Sequence, residues 1–279
     1  LTGVEELRLN DDLEELLLLG DMSDNCQILV KDHGASLRLQ LDRSLPKVLG
    51  LKDLGAIHCS NILEIDFAQI LNNYPRLREL RLWGKPGHIL NFHKLSELKE
   101  LVNFSTVDLF GFTAEDIPKP EDLPRLSMFW MSSLPEEAAK VAKKYYKKQQ
   151  DKGLNLWITK PRKAEWLAQN LDNPFRSWDG QENISTANAK KAASLYRKTR
   201  ASVRKLLEKP NEDTMKHIEV LIREYTQGFN KMDKRNCFIE TIEREDIYDA
   251  LVEILDLLPE DLGMDKEKFI EIFDELKDF

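Results

Sequence analysis

The amino-acid sequence predicts an α/β solenoid, in which short parallel strands stack into one sheet, followed by a small all-α domain. Three observations predict this fold class. The pattern Leu-x-x-Leu-x-Leu recurs, with substitutions, through the first 160 residues at intervals of about 19 to 27 residues. The pattern stops after Ile158. Four segments with apolar residues at helical spacing follow from about residue 185.

The recurring pattern predicts the strands of the sheet. Alternate residues of a strand point to opposite faces, and a single strand buries its apolar side only by stacking on neighbours. The full matches are Leu54-x-x-Ile57-x-Cys59, Leu77-x-x-Leu80-x-Leu82, Phe104-x-x-Val107-x-Leu109 and Leu123-x-x-Leu126-x-Met128. Two earlier matches, which begin at Val4 and Leu13, lie only 9 residues apart and indicate a hairpin or one damaged repeat. Pro135 suits the first turn of a helix that returns the chain to the next strand.

This part of the chain, roughly residues 1–158, resembles the leucine-rich-repeat family in a divergent form. The strand pattern carries the resemblance. The family's asparagine in the turn after the strand is not kept in register, although Asn61 falls one place from it. The resemblance implies a leucine-rich-repeat-like parallel sheet that serves as a binding scaffold for proteins. We assign residues 1–159 to this solenoid.

The rest of the chain predicts a connector and a helical domain. Residues 160–183 contain Pro161 and Pro174, which interrupt regular structure, together with three large aromatic residues that favour an ordered, buried bridge. Residues 184–279 form the helical domain. Its helices are expected over about 185–208, 212–232, 242–258 and 266–277, each with an apolar stripe.

The strand pattern also predicts an exposed aromatic row. If Leu82, Leu109, Met128 and Leu156 point into the core, the residues that follow them point outward on strands about 4.8 Å apart. The predicted partner-binding residues are Trp83, Phe110, Phe129 and Trp157, flanked by Arg81 and Asp108. Exposed apolar patches mark interfaces, and Trp and Arg are typical hot-spot residues. Two interpretations stay open: the row receives a partner protein or peptide, or the helical domain or connector covers it.

Charge is unevenly distributed along the chain. Residues 138–209 hold 18 Lys or Arg and 6 Asp or Glu, whereas residues 210–279 hold 9 Lys or Arg and 20 Asp or Glu. The basic segment, in which Tyr145 and Tyr146 stand among lysines, raises the alternative of a nucleic-acid-associated regulator. The opposite net charges of the two segments nearly cancel, which favours basic and acidic helices that face each other or solvent. A net charge of −8 also opposes general phosphate binding.

The sequence contains no catalytic or metal-binding motif. Its five histidines lack metal-ligand spacing, and it has no nucleophile elbow, phosphate loop or Cys-x-x-Cys. Cys59 follows His58 but falls on an inward strand position, which is typical of a small core residue. The stretch from Asp233 to Glu243 resembles an EF-hand loop, yet it is one residue short and lacks the central glycine. We therefore expect no enzyme activity, no metal and no cofactor.

The remaining features predict a cytoplasmic protein. The three cysteines are far apart, no secretory signal is visible, and no apolar run reaches membrane length. The start at Leu1 rather than Met leaves room for an earlier segment that caps the solenoid. The C-terminal half is similar to uncharacterised bacterial leucine-rich-repeat-like proteins at residues 160–163, 173–180 and 238–241, which implies a bacterial source. The expected function is a non-enzymatic protein–protein interaction scaffold that binds an unknown protein or peptide through the exposed sheet face.

Overall fold

The computed structural model describes residues 3–19, 26–45, 49–234, 237–259 and 266–279. The chain divides into two compact units, Leu1–Leu167 and Ala168–Phe279. The division falls inside the segment 160–183, which the sequence assigns to a connector. None of the described helices is both long and apolar enough to cross a membrane.

The first unit is built on parallel strands. They are β1 Glu6–Arg8, β2 Glu15–Leu18, β3 Gln27–Leu29, β4 Arg38–Asp42, β5 Ala56–Asp66, β6 Glu79–Leu90, β7 Asn103–Phe110, β8 Met128–Pro135 and β9 Asn155–Arg162. Seven of them form one parallel sheet in the order β2-β4-β5-β6-β7-β8-β9, and β1 pairs with β3. β1 and β2 are not paired with each other in the described residues, so the early matches do not form a hairpin. The predicted parallel sheet is confirmed, whereas its stacking into a solenoid stays a prediction.

Helical segments follow several of the strands. The α-helices are α1 Phe67–Asn73, α2 Glu136–Gln150 and α3 Ala164–Asn170, and 3-10 helices cover Lys31–Gly34, Phe92–Glu97, Ala114–Asp116 and Pro120–Asp122. The side chain of Asp66 accepts a 2.8 Å hydrogen bond from the backbone N–H of Ala68, which satisfies one donor at the start of α1. Pro135 immediately precedes α2 as its N-cap residue.

One inward row of side chains runs across all seven strands of the sheet; its members on β4 to β8 are buried, and those on β2 and β9 are partly buried. The paired positions are Leu16, Leu39, Ile57, Leu80, Phe104, Phe129 and Leu156. From Ile57 onward they lie 23, 24, 25 and 27 residues apart, which is more regular than the sequence pattern suggested. Phe104 and Phe129 are fully buried, with ring centroids 5.7 Å apart. The recurrence of the strands is thus correct, but the predicted frame, meaning the position of the pattern along each strand, is displaced by three residues in β7 and in β8.

Several strands carry one residue in the left-handed region of backbone conformation. Asn61, Asp108, Ser133 and Lys160 occupy equivalent places in β5, β7, β8 and β9, with φ between 49° and 53°. A residue in this conformation breaks the simple alternation of faces. In β5 it accompanies a bulge against β6, whereas β8 and β9 both carry one and keep their register. In β8 the buried apolar residues Met131 and Leu134 are accordingly three residues apart instead of two.

The second unit is helical. Its helices are α4 Thr186–Leu207, α5 Thr214–Asp233, α6 Thr241–Leu255 and α7 Lys266–Leu276, preceded by a 3-10 helix over Pro174–Trp178. Phe175 and Trp178 are 1% exposed and pack in the core of this unit. The indole N–H of Trp178 donates to Asp246 Oδ2 at 2.8 Å, so a buried aromatic ring keeps its polar group satisfied.

Candidate binding face of the sheet

One face of the sheet presents three rows of side chains to solvent, and we call it the exposed sheet face. The rows follow from the strand pairing, since paired residues lie side by side. The first row is Glu15, Arg38, Ala56, Glu79, Asn103, Met128 and Asn155; the second is Leu17, Gln40, His58, Arg81, Ser105, Trp130 and Trp157; the third contains the pair Asp42 and Ser60, then Trp83, Val107, Ser132 and Thr159.

The structure does not bring the four predicted aromatic residues into one row. Trp83 and Trp157 are half exposed, at 50% and 54%, but they stand in different rows. Phe129 is fully buried because it belongs to the inward row, and Phe110 is 5% exposed at the end of β7, paired with His88. The predicted ladder is therefore wrong at Phe110 and Phe129, since the frame error and the left-handed residue of a strand each change the side on which a residue lies. The row also omitted Trp130, which the pairing places beside Trp157.

Trp130 and Trp157 form an aromatic pair at one end of the exposed sheet face. Their ring centroids are 5.3 Å apart with an interplanar angle of 89°, the edge-to-face arrangement that aromatic pairs prefer. The indole N–H of Trp130 donates to Asn155 Oδ1 at 3.0 Å, which fixes its ring. The Trp157 ring thus packs against a Trp130 ring whose orientation is fixed.

A polar network occupies the centre of the face, around Glu79. Its carboxylate lies 2.5 Å from His58 Nε2, accepts a 3.1 Å hydrogen bond from Asn103 Nδ2, and lies 3.1 Å from Arg81 Nε and 3.7 Å from Arg38. Burial raises the pKa of Glu79, but the hydrogen bonds from His58 and Asn103 and the charge of Arg81 lower it more, so its pKa lies below the ordinary value. The carboxylate is therefore ionised and acts as an acceptor.

The two flanking residues of the predicted site have different places. Arg81 lies in the second row of the face, where it contacts Glu79. Asp108 is 8% exposed and has the left-handed backbone conformation in β7, next to the exposed Val107. The other members of the network around Glu79 are absent from the predicted site, because only the pairing of β4, β5, β6 and β7 brings them together.

A groove runs along the other end of the face, between its second and third rows. It has a volume of about 270 Å³. Its lining includes Leu17, His58 and Arg81 on one side, and Leu19, Asp42 and Trp83 on the other. Leu17 and Leu19 are 55% and 69% exposed. The groove is thus apolar at its ends and polar in the middle.

A larger cavity, of about 810 Å³, lies at the carboxyl ends of β7, β8 and β9. Its lining includes Phe110, Phe112, Glu136, Glu137 and Arg162. Three of its charged groups are engaged within the protein: Lys140 lies 3.3 Å from Glu136 and 2.7 Å from Glu137, and the Arg162 guanidinium stacks 3.9 Å from the Trp166 ring centre. Thr113 also lines this cavity, and its hydroxyl donates to Asp116 Oδ2 at 2.9 Å within the cap of a 3-10 helix.

The EF-hand-like stretch uses its carboxylates internally. Asp233 Oδ1 accepts a 2.8 Å hydrogen bond from the backbone N–H of Ile239, and Glu243 accepts from Glu240 N at 3.0 Å and from Asn183 Nδ2 at 3.0 Å. Across the described ranges, no group of three or more His, Cys, Asp or Glu side chains is placed to hold a metal.

Thiol reactivity tests the assignment of Cys59 to the core. Burial, aided by the charge of Asp42, raises the pKa of Cys59 to about 12, and Cys26 is also buried, whereas Cys237 is exposed. We expect the native protein to react with one equivalent of a thiol reagent at pH 8, and with three after unfolding. Mass spectrometry locates the label, and Cys237→Ser should remove the native reaction. Fast labelling of Cys59 would contradict the buried position.

The basic helix α2 does not present the aromatic pattern that its sequence suggested. Tyr146 is 1% exposed and lies 4.5 Å from Phe129 between ring centres, and Tyr145 packs partly against the same core. Base stacking needs an accessible ring. The lysines of α2 therefore remain without the interleaved aromatic surface.

Comparison with known proteins found no match for this chain. No protein-family model, curated protein or solved structure matches the chain.

Proposed function

We propose that the protein is a non-enzymatic interaction module that binds a partner protein or peptide on the exposed sheet face. One observation carries the proposal. Of the seven large apolar residues that are exposed among the described residues of the first unit, five line this face or its groove: Leu17, Leu19, Trp83, Val107 and Trp157. Water disfavours such a concentration, and exposed apolar patches of this kind mark binding sites.

The chemistry of the face supports recognition rather than catalysis. Half-exposed tryptophans supply large rigid contact areas at low entropic cost, as hot-spot residues do. The network around Glu79 holds the polar side chains between them in fixed positions. The likeness to leucine-rich repeats in the strand pattern supports the same proposal, since that family serves as a protein-binding scaffold.

Crosslinking from the face tests the proposal. A photoreactive p-benzoylphenylalanine at Val107, which is 39% exposed, should crosslink a partner in source-cell lysate, and Trp83→Ala/Trp157→Ala should abolish that crosslink. There are two matched controls. The first is the same probe at Val220, which is 51% exposed on α5, and the second is the double variant Val220→Ala/Ile242→Ala with the probe at Val107. Circular dichroism checks folding. Equal crosslinking from Val107 and Val220, or no effect of the tryptophan variant, would refute the proposal.

Salt dependence separates this proposal from the nucleic-acid alternative that residues 138–209 raise. Binding on an apolar face should change little between low and moderate salt. Phosphate binding by lysines should weaken by orders of magnitude as counterions compete. A steep loss of partner binding with salt would favour the basic segment.

A further inference from the structure

The exposed sheet face offers hydrogen-bond donors on its two most exposed rings. Trp130 donates its indole N–H to Asn155. Trp83 and Trp157 are half exposed, and in the described part of the chain neither indole N–H has an acceptor. An indole is a donor only, so these two groups select a partner that supplies oxygen acceptors.

Several acceptors of the same face already receive hydrogen bonds from within the chain. Glu79 receives hydrogen bonds from His58 and Asn103. Asp42 accepts from Asn61 Nδ2 at 2.8 Å, and the hydroxyl of Ser132 accepts from Thr159 at 3.0 Å. A partner segment that brings many backbone N–H groups would have to compete for these acceptors when it loses its bonds to water.

Charge on the face is balanced internally. Arg38 lies 4.0 Å from Glu15 and 3.7 Å from Glu79, and Arg81 lies 3.1 Å from the same Glu79 carboxylate. A charged partner would have to compete with these pairs. The face therefore complements an uncharged segment.

We propose that the exposed sheet face binds an uncharged, proline-rich peptide segment in the polyproline II conformation; this inference rests on the proposed function. Proline has no backbone N–H, so such a segment presents carbonyl acceptors without unsatisfied donors. Its rings pack on aromatic surfaces, and its preformed conformation lowers the entropic cost of binding. The indoles of Trp83 and Trp157 donate to its carbonyls.

The spacing of the two indoles fits a short segment. Trp83 is on β6 and Trp157 on β9, three strand steps apart and offset by two residues along the strands. With strands about 4.8 Å apart and about 3.3 Å per residue, the two positions are roughly 16 Å apart. Polyproline II rises about 3.1 Å per residue, so five or six residues span that distance.

The five indole N–H signals in a proton–nitrogen NMR spectrum of the full chain provide the test. An acetylated ten-residue polyproline peptide should shift the signals of Trp83 and Trp157 in a saturable manner, and leave that of Trp178, which is bonded to Asp246, unchanged. Ten-residue glycine–serine, lysine-rich and glutamate-rich peptides serve as controls. Absence of shifts up to millimolar polyproline, or equal shifts with a control peptide, would overturn the inference.

Conservative variants separate the hydrogen bonds from packing. Trp157→Phe keeps an aromatic ring but removes the N–H, and should weaken polyproline binding about fivefold to tenfold, the effect of one hydrogen bond. Trp166→Phe, which lies outside the face, should have no effect. If Val107 crosslinks a partner in a Trp157-dependent manner but polyproline does not bind, this inference fails and the proposed function stands. If neither occurs, both fail.

Discussion

Replacing Phe129 with alanine is expected to destabilise the first unit by about 3–5 kcal/mol, the usual cost of removing a buried phenylalanine. Phe129 is fully buried, and its ring lies 5.7 Å from that of Phe104 and 4.5 Å from that of Tyr146. The substitution leaves a cavity between two aromatic neighbours that cannot collapse without moving a strand. Urea denaturation followed by circular dichroism, fitted with one transition for each unit, measures the change.

The control for this experiment is Trp83→Ala, which should cost less than about 1 kcal/mol because Trp83 is half exposed. The comparison also tests the strand frame. The sequence pattern places Phe129 outward beside Trp83, in which case both substitutions would have similar, small effects. A loss at Phe129 no larger than that at Trp83 would mean that the inward row is misassigned.

Replacing Glu79 with glutamine is expected to lower the free energy of unfolding by about 2 kcal/mol at pH 7, since hydrogen bonds to a charged group contribute about 1.5–3 kcal/mol. The pKa of Glu79 is lower in the folded chain than its ordinary value. A carboxylate of this kind stabilises the fold above its unfolded pKa, and the contribution is lost as pH falls through its folded pKa. The difference between wild type and variant should therefore shrink below about pH 4.

Denaturation at a series of pH values between 7 and 3 measures this difference. Glu137→Gln is the matched control, because the side chain of Glu137 is 72% exposed and a change there should cost little at any pH. A Glu79→Gln effect that does not vary with pH would indicate that packing, and not the ionised carboxylate, is responsible.

The parallel sheet and the helical domain were predictable because they depend on local apolar periodicity. The frame of the repeat in β7 was not predictable. Its repeat is Leu101-x-x-Phe104-x-Thr106, in which the last core position is a threonine, 1% exposed. The alternative frame, Phe104-x-x-Val107-x-Leu109, has apolar residues at all three positions. A shift by an odd number of residues exchanges the two faces of a strand. This single ambiguity therefore placed the exposed Val107 inward and the buried Phe110 outward.

The candidate site was predicted only in part for the same physical reason. Trp83 and Trp157 are placed outward by both the pattern and the structure. Trp130 and the contacts of Glu79 depend on which residues pair across strands, and pairing is a non-local property. The left-handed residues add to the difficulty, since the alternating pattern gives no sign of the change of face at Asp108 or Ser133. The near-constant spacing of 23 to 27 residues between paired core positions is the signal that identifies the correct frame.

The composition of β9 has a consequence for solubility at high concentration. In the described part of the chain β9 pairs with β8 alone, so its other side carries backbone groups of the kind that template aggregation. Its C-terminal half reads Lys160-Pro161-Arg162, in which the proline cannot donate to an added strand and the two charges repel a second copy. These three residues disfavour the pairing of a further strand with this end of the sheet.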